Sequence, residues 1–238
     1  MHLRMLARQK AVLLLLITTP ALFLVIVQFT ASRNNIFFQL NITESTAVTR
    51  AKSVELSSVF VSMAVIGFLS SFVALSLVQQ FKNANRRLVI CGYRPAELVF
   101  SSITVLLLVI LLLSVIVGSC ILFFFKPLHF WLMVTGMFLT GAVYGGYGLL
   151  VGNLVQSDLE GTLMIILLAN IDAGWLQNPL FFPGARNKLL IQLLPAHNSS
   201  QVAITAAFSN APFGHAIVLG LAYSICFFVA AVYVAYRR

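Results

Sequence analysis

Charge is what this chain most lacks: only 9% of its 238 residues are charged, and six are acidic. With 60% hydrophobic residues and a mean hydropathy of +0.99, its apolar runs exceed what one soluble core of this size can hide. Lipid acts as their solvent instead. Cysteine is scarce and odd in number, at Cys91, Cys120 and Cys226. With no Cys-x-x-Cys or Cys/His ligand spacing, neither a disulfide framework nor a zinc site is supported, and the three read as packing residues. The histidines, His2, His129, His197 and His215, are equally scattered. There is no Gly-x-x-x-x-Gly-Lys-Ser/Thr phosphate loop, so the chain does not cradle ATP by that route, and no Ser/His/Asp set at a recognisable spacing. No internal repeat, low-complexity tract or soluble domain is visible.

What remains is hydrophobic length. Hydropathy predicts a single transmembrane domain over 1–238 with six membrane helices, at about 11–30, 54–78, 99–125, 130–152, 161–178 and 213–235. Each matches or approaches the roughly 20 residues that cross a bilayer. The N-terminal run, preceded by Arg4, Arg8 and Lys10, competes with a secretory signal. It continues to Phe29, beyond the about 7–15 residues of a signal core, and Ser32-Arg33-Asn34 is a poor cleavage context, so a retained first helix is expected.

The net charge of +9 invites a nucleic-acid reading, but the basic residues concentrate in loops between spans, where they act as topology signals. With the N-terminus inside, the inner segments carry Arg4, Arg8, Lys10, Lys82, Arg86, Arg87, Arg94, Arg237 and Arg238. The outer ones carry Arg33, Arg50, Lys52, Lys126, Arg186 and Lys188. The positive-inside bias therefore favours both termini in the cytoplasm.

The basic segment 81–98, FKNANRRLVICGYRPAEL, is the most informative inner loop. Phe81, Ala84, Leu88 and Cys91 recur at helical spacing and leave the arginines on the other face. Gly92 can close this helix, Pro95 can open the next, and Glu97 stands where an acid favours a helix N-terminus. On the outer side Lys126-Pro127-Leu128-His129 reads as a tight turn. Residues 179–212 form a long external insertion, whose Leu189–Leu194 stretch is too short to span and suits re-entrant or interfacial helices.

Within the fourth span, Gly141/Gly145 and Gly148/Gly152 have the small-xxx-small spacing of close helix contact. Packing is the simpler reading; Tyr144 and Tyr147 leave open a helix that lines a pathway with its phenols. Asp172, beside Asn170, is either an intramembrane functional carboxylate or an acid at the external interface that caps the next helix. Phe60, Met63, Phe68 and Phe72 in the second span could form an adaptable apolar wall, although such residues more often pack helices or face lipid. Asp158 and Glu160 read as caps of the fifth helix or contacts to a basic surface.

This arrangement resembles the membrane subunit of a type-2 ABC exporter. The likeness rests on Arg86-Arg87-Leu88-Val89-Ile90-Cys91-Gly92-Tyr93-Arg94-Pro95-Ala96-Glu97-Leu98, the glycine-rich fourth span, and the Asn178-Pro179…Pro183 and Leu193-Leu194-Pro195…Gln201…Ala206-Ala207-Phe208 pattern. The resemblance implies an all-α membrane fold in which the first inner loop carries a coupling helix, with Arg86, Arg87, Tyr93, Arg94 and Glu97 at the ATPase. It implies short external helices between spans 5 and 6. It further implies cassette ATPase subunits as partners, ATP and magnesium bound there rather than on this chain, and a second permease, identical or related. The expected location is a bacterial or archaeal cell membrane. An ion-coupled carrier or channel, and a membrane-embedded enzyme or assembly factor, are the competing classes; a carrier would need more intramembrane charge than Asp172 offers.

Overall fold

The computed structural model describes residues 10–40, 47–90, 92, 95–155, 157–172, 188–210, 212 and 214–237. Helix α1 (Lys10–Thr30) leads into a two-stranded antiparallel hairpin, β1 (Asn35–Leu40) and β2 (Ala47–Lys52), paired from Asn35↔Lys52 to Leu40↔Ala47. Helices α2 (Ser53–Ile90), α3 (Pro95–Ile121) and α4 (Phe130–Leu154) follow. The chain ends in α5 (Asp158–Ala169), α6 (Lys188–Gln192), α7 (Pro195–Phe208) and α8 (Gly214–Arg237).

Among the described residues, four helical stretches are long and apolar enough to cross a membrane: Ser53–Gln79, Glu97–Ile121, Phe130–Leu154 and Gly214–Arg237. Leu14–Thr30 of α1 is a shorter apolar stretch, with Pro20 inside the helix. The described part of the expected fifth span, α5, has 12 residues. A π turn continues it through Asp172, so every described residue of that expected span is helical. Residues 173–178 of that expected span lie outside the described residues.

Helix α2 is 38 residues long, about 57 Å, so it projects roughly 16 Å beyond its apolar stretch Ser53–Gln79. It is followed by Gly92 at φ +96°, a left-handed conformation that glycine adopts without a Cβ penalty, and α3 starts at Pro95. The third span stops at Ile121 rather than near residue 125. The amides of Leu122, Phe123 and Phe124 turn back onto the carbonyls of Ser119, Cys120 and Ile121, ahead of Pro127, which has no amide hydrogen to continue a helix.

Helix α4 is the hub. It is apolar on all sides and mostly buried, and its glycines open a different face to each neighbour. A Cβ at Gly136 would fall 2.5 Å from the Ala203 nitrogen of α7, and one at Gly148 2.4 Å from the Ser71 carbonyl oxygen of α2. Gly141 and Gly145 admit Ile110 and Leu106 of α3, and Gly146 admits Phe227 of α8. In lipid, where apolar surface alone does not drive helices together, such approach maximises dispersion contact. The Ser71 hydroxyl adds a bond to the Tyr144 carbonyl at 2.9 Å. By contrast α1, α3 and α8 carry exposed side chains such as Leu15, Leu22, Leu111, Val218, Ile225 and Val229, the faces that hydrocarbon can solvate.

One end of the bundle is clasped. Leu128 and His129 donate their amides to the carbonyls of Ala207 and Ala206 at the end of α7, and His129 Nε2 lies 2.8 Å from Asn210 Oδ1. Phe208 stacks on Phe125 and meets Phe38 of the hairpin edge-on.

Candidate functional site

Helices α5 and α7 enter the bundle from opposite ends. At the start of α5, Gln79 Nε2 donates to the Ser157 carbonyl at 3.4 Å, and Gly161 lies against Leu75, so α5 rises from the end at which α2 projects. Helix α7 finishes at the clasp on the other end. Their facing ends meet beside the middle of α4. After Ala169 the chain takes a wider π turn through Asp172, which is fully buried. Asp172 Oδ2 accepts the Tyr144 hydroxyl at 2.7 Å and the Ala196 backbone amide at 3.1 Å. Tyr144 is itself 1% exposed, its ring lying over Gly67, where an added Cβ would come within 2.8 Å of Cδ2.

Tyr144 stands near the middle of α4, and Gly67 near the middle of the spanning part of α2. The carboxylate therefore lies at the mid-depth of the bundle rather than at its rim. Two physical effects hold it there. One carboxyl oxygen satisfies two buried donors at once, and the first turn of α7 presents amides that lack the usual acceptor four residues back in their own helix. Around this point Ala169 and Ala196 pack with Tyr144, and Ala64, Phe68 and Leu168 close over them.

The family described as ABC-2 type transporter matches residues 2–171. The chain belongs to that family. No curated protein matches it. An ABC-2 membrane domain serves ATP-binding-cassette transport, generally pairs with cassette subunits and typically lacks ATPase activity itself. The match covers α1 to α5, whereas α7 and α8 follow it.

In this ABC-2 transporter chain the residues expected to face the ATPase divide. Arg86 and Arg87 lie on the projecting part of α2, and Glu97 is exposed in the first turn of α3. Tyr93 and Arg94 lie outside the described residues, as do Cys91 and residues 179–187 of the external insertion. Of the pathway candidates, Phe60 and Met63 are buried in the main core, while Phe68 and Phe72 are half-buried and stacked with centroids 5.7 Å apart. Phe68 borders Tyr144 and Phe72 borders Ile165. Asn170 is exposed and returns its amide to the Ile166 carbonyl at 2.8 Å, one helical turn back.

Sequence reasoning singled out Tyr144 and Asp172 separately and missed that they are partners, along with the role of Ala196. Their separations of 28 and 24 residues leave no local signal. The hairpin was missed as well. Its strands NIFFQL and AVTRAK carry weak alternation, and no Asn-Gly or Asp-Gly turn marks them.

Proposed function

We propose that this chain is the permease subunit of an ABC exporter, moving an amphipathic compound, drug or lipid with energy from ATP hydrolysed on separate cassette subunits. The family match over residues 2–171 carries this reading. The continuation of α2 beyond Gln79, which carries Lys82, Arg86 and Arg87, the Gly92 turn and the restart at Pro95 support it, as the helix-turn-helix a coupling element needs. On this reading ATP and magnesium belong to the cassette subunits, whose movement reaches the bundle through Arg86, Arg87, Tyr93, Arg94 and Glu97.

The same reading treats 1–238 as a single transmembrane domain with six membrane passes, both termini cytoplasmic, in a bacterial or archaeal cell membrane. A second permease, identical or related, completes the pathway, with Phe60, Met63, Phe68, Phe72, Asn170 and Asp172 as candidates to border it. The exposed Trp131, Phe29 and Phe123, with Arg50 set 6.0 Å from the Phe37 ring, suit the outer headgroup region on this topology. Asp172 is the buried acid among the described residues, and its bonds to Tyr144 and Ala196 speak against an ion-coupled carrier.

The test is purification of the chain with its cassette subunit and reconstitution in lipid nanodiscs. Vanadate-sensitive ATP hydrolysis should require both chains in one complex. Transport driven by a proton gradient, with no cassette subunit present, would sink the proposal.

A further inference from the structure

The tie between α5 and α7 has a mechanical consequence. The two helices touch end to end at mid-depth, where a single carboxylate oxygen, Asp172 Oδ2, holds both the Ala196 amide of α7 and the Tyr144 hydroxyl of α4. Below that point α5 runs back to its contact with α2, through Gly161 on Leu75 and Ser157 on Gln79, directly before the basic continuation of α2. Above it, α7 runs between Gly136 of α4 and Gly220 of α8 to the clasp formed by Leu128 and His129. Nearly all of α7 is buried. A contiguous chain of packed helices and hydrogen bonds thus leads from the end of α2 to the opposite end of the bundle, with Asp172 as the hydrogen-bonded link from the end of α5 to the start of α7.

We infer that Asp172 is a positioning residue for transport: it makes the outer half-helix α7 move with α5, so that a displacement received at the inner end of α5 reaches the outer clasp. This rests on the exporter reading. Removing the acceptor leaves the Ala196 amide at the buried start of α7 without this partner. Helix α7 then keeps its packing on α4 and α8 but loses this tie to α5, and so no longer follows it. Coupling of this kind needs a connected element with two arrangements, and the α5–α7 column supplies the connection.

The experiment uses the complete complex with its cassette subunit in nanodiscs. Cys91, Cys120 and Cys226 are replaced by alanine, and a reporter Pro212→Cys is placed at an exposed position just beyond α7. The rate of maleimide labelling is compared without nucleotide and with ATP plus vanadate, in the parent, in Asp172→Ala, which removes the acceptor oxygen, and in Tyr144→Phe. The phenylalanine variant keeps the ring over Gly67 and loses only the hydroxyl. The parent rate should change on trapping. Loss of a buried hydrogen bond shifts a two-state equilibrium by roughly fivefold, so Asp172→Ala, which removes both bonds, should abolish most of that response and Tyr144→Phe a part of it, in complexes that still assemble. A merely structural role would lower the melting temperature and leave the nucleotide response unchanged. That result, with both variants responding like the parent, overturns the inference. A parent that does not respond to ATP overturns the exporter reading itself and this inference with it.

Discussion

Gly148→Ala is the sharpest perturbation of the hub. An added Cβ would sit 2.4 Å from the Ser71 carbonyl oxygen, 2.8 Å from its Cα and 2.9 Å from the Ala74 Cβ. Two of these three atoms are backbone, so no side-chain rotation relieves the clash. Ordinary contact begins near 3.4 Å, so α2 and α4 must separate by roughly 1 Å. That separation loosens packing along the Gly148/Gly152 face and stretches the bond from the Ser71 hydroxyl to the Tyr144 carbonyl. Overpacking of this kind costs about 1–3 kcal/mol, and an interhelical hydrogen bond in a membrane contributes about 0.6 kcal/mol on average. The matched control is Gly220→Ala, whose nearest neighbour would lie 3.7 Å away. Unfolding of the detergent-solubilised protein, followed by near-ultraviolet circular dichroism or size-exclusion melting, should show Gly148→Ala clearly destabilised and Gly220→Ala near the parent. Equal stability of the two variants would refute the close-approach argument for α4.

Three further outcomes follow from other parts of the molecule. Phe208→Ala removes the ring stacked on Phe125 at 5.5 Å and edge-on to Phe38 at 5.9 Å; at about 0.5–1.5 kcal/mol per aromatic pair it should lower stability and speed proteolysis of the hairpin, and an unchanged cleavage rate would show that the hairpin is held by other contacts. Arg86→Lys with Arg87→Lys keeps the topology charge but loses the guanidinium fork, so the chain should insert normally while cassette recruitment weakens, and the Glu pair should abolish it; normal recruitment by the Glu pair would end the electrostatic docking argument. Single cysteines at positions 82, 86 or 87 should resist an impermeant reagent in intact cells, whereas cysteines at Lys126 or Pro212 should react, and the reverse pattern would invert the proposed topology.

Much of the chain's class was legible before any contact was known, because a bilayer sums transfer energies locally. The second, fourth and last spans are each readable from their own residues. The Gly92 turn and the restart at Pro95 are equally local, set by one left-handed glycine and one residue without an amide hydrogen. The spacing of Gly141, Gly145, Gly148 and Gly152 announces close contact, again from one helix alone.

Which partner each glycine meets was decided only by the tertiary structure. A glycine row marks an available face and carries no record of the helix that fills it; Gly145 received α3, Gly141 both α3 and α2, and the Gly148/Gly152 row α2. Asp172 makes the same point in polar chemistry. Its sequence surroundings allow an interface cap or a buried carboxylate, and the fold combines the two by bringing the start of α7 to mid-depth, where one oxygen serves Tyr144 and Ala196 together. The physical reason is the range of the forces involved. Hydrophobic transfer and backbone preference act within a segment and can be read along it, whereas a hydrogen bond or a backbone-to-backbone approach exists only once distant segments have been packed against each other.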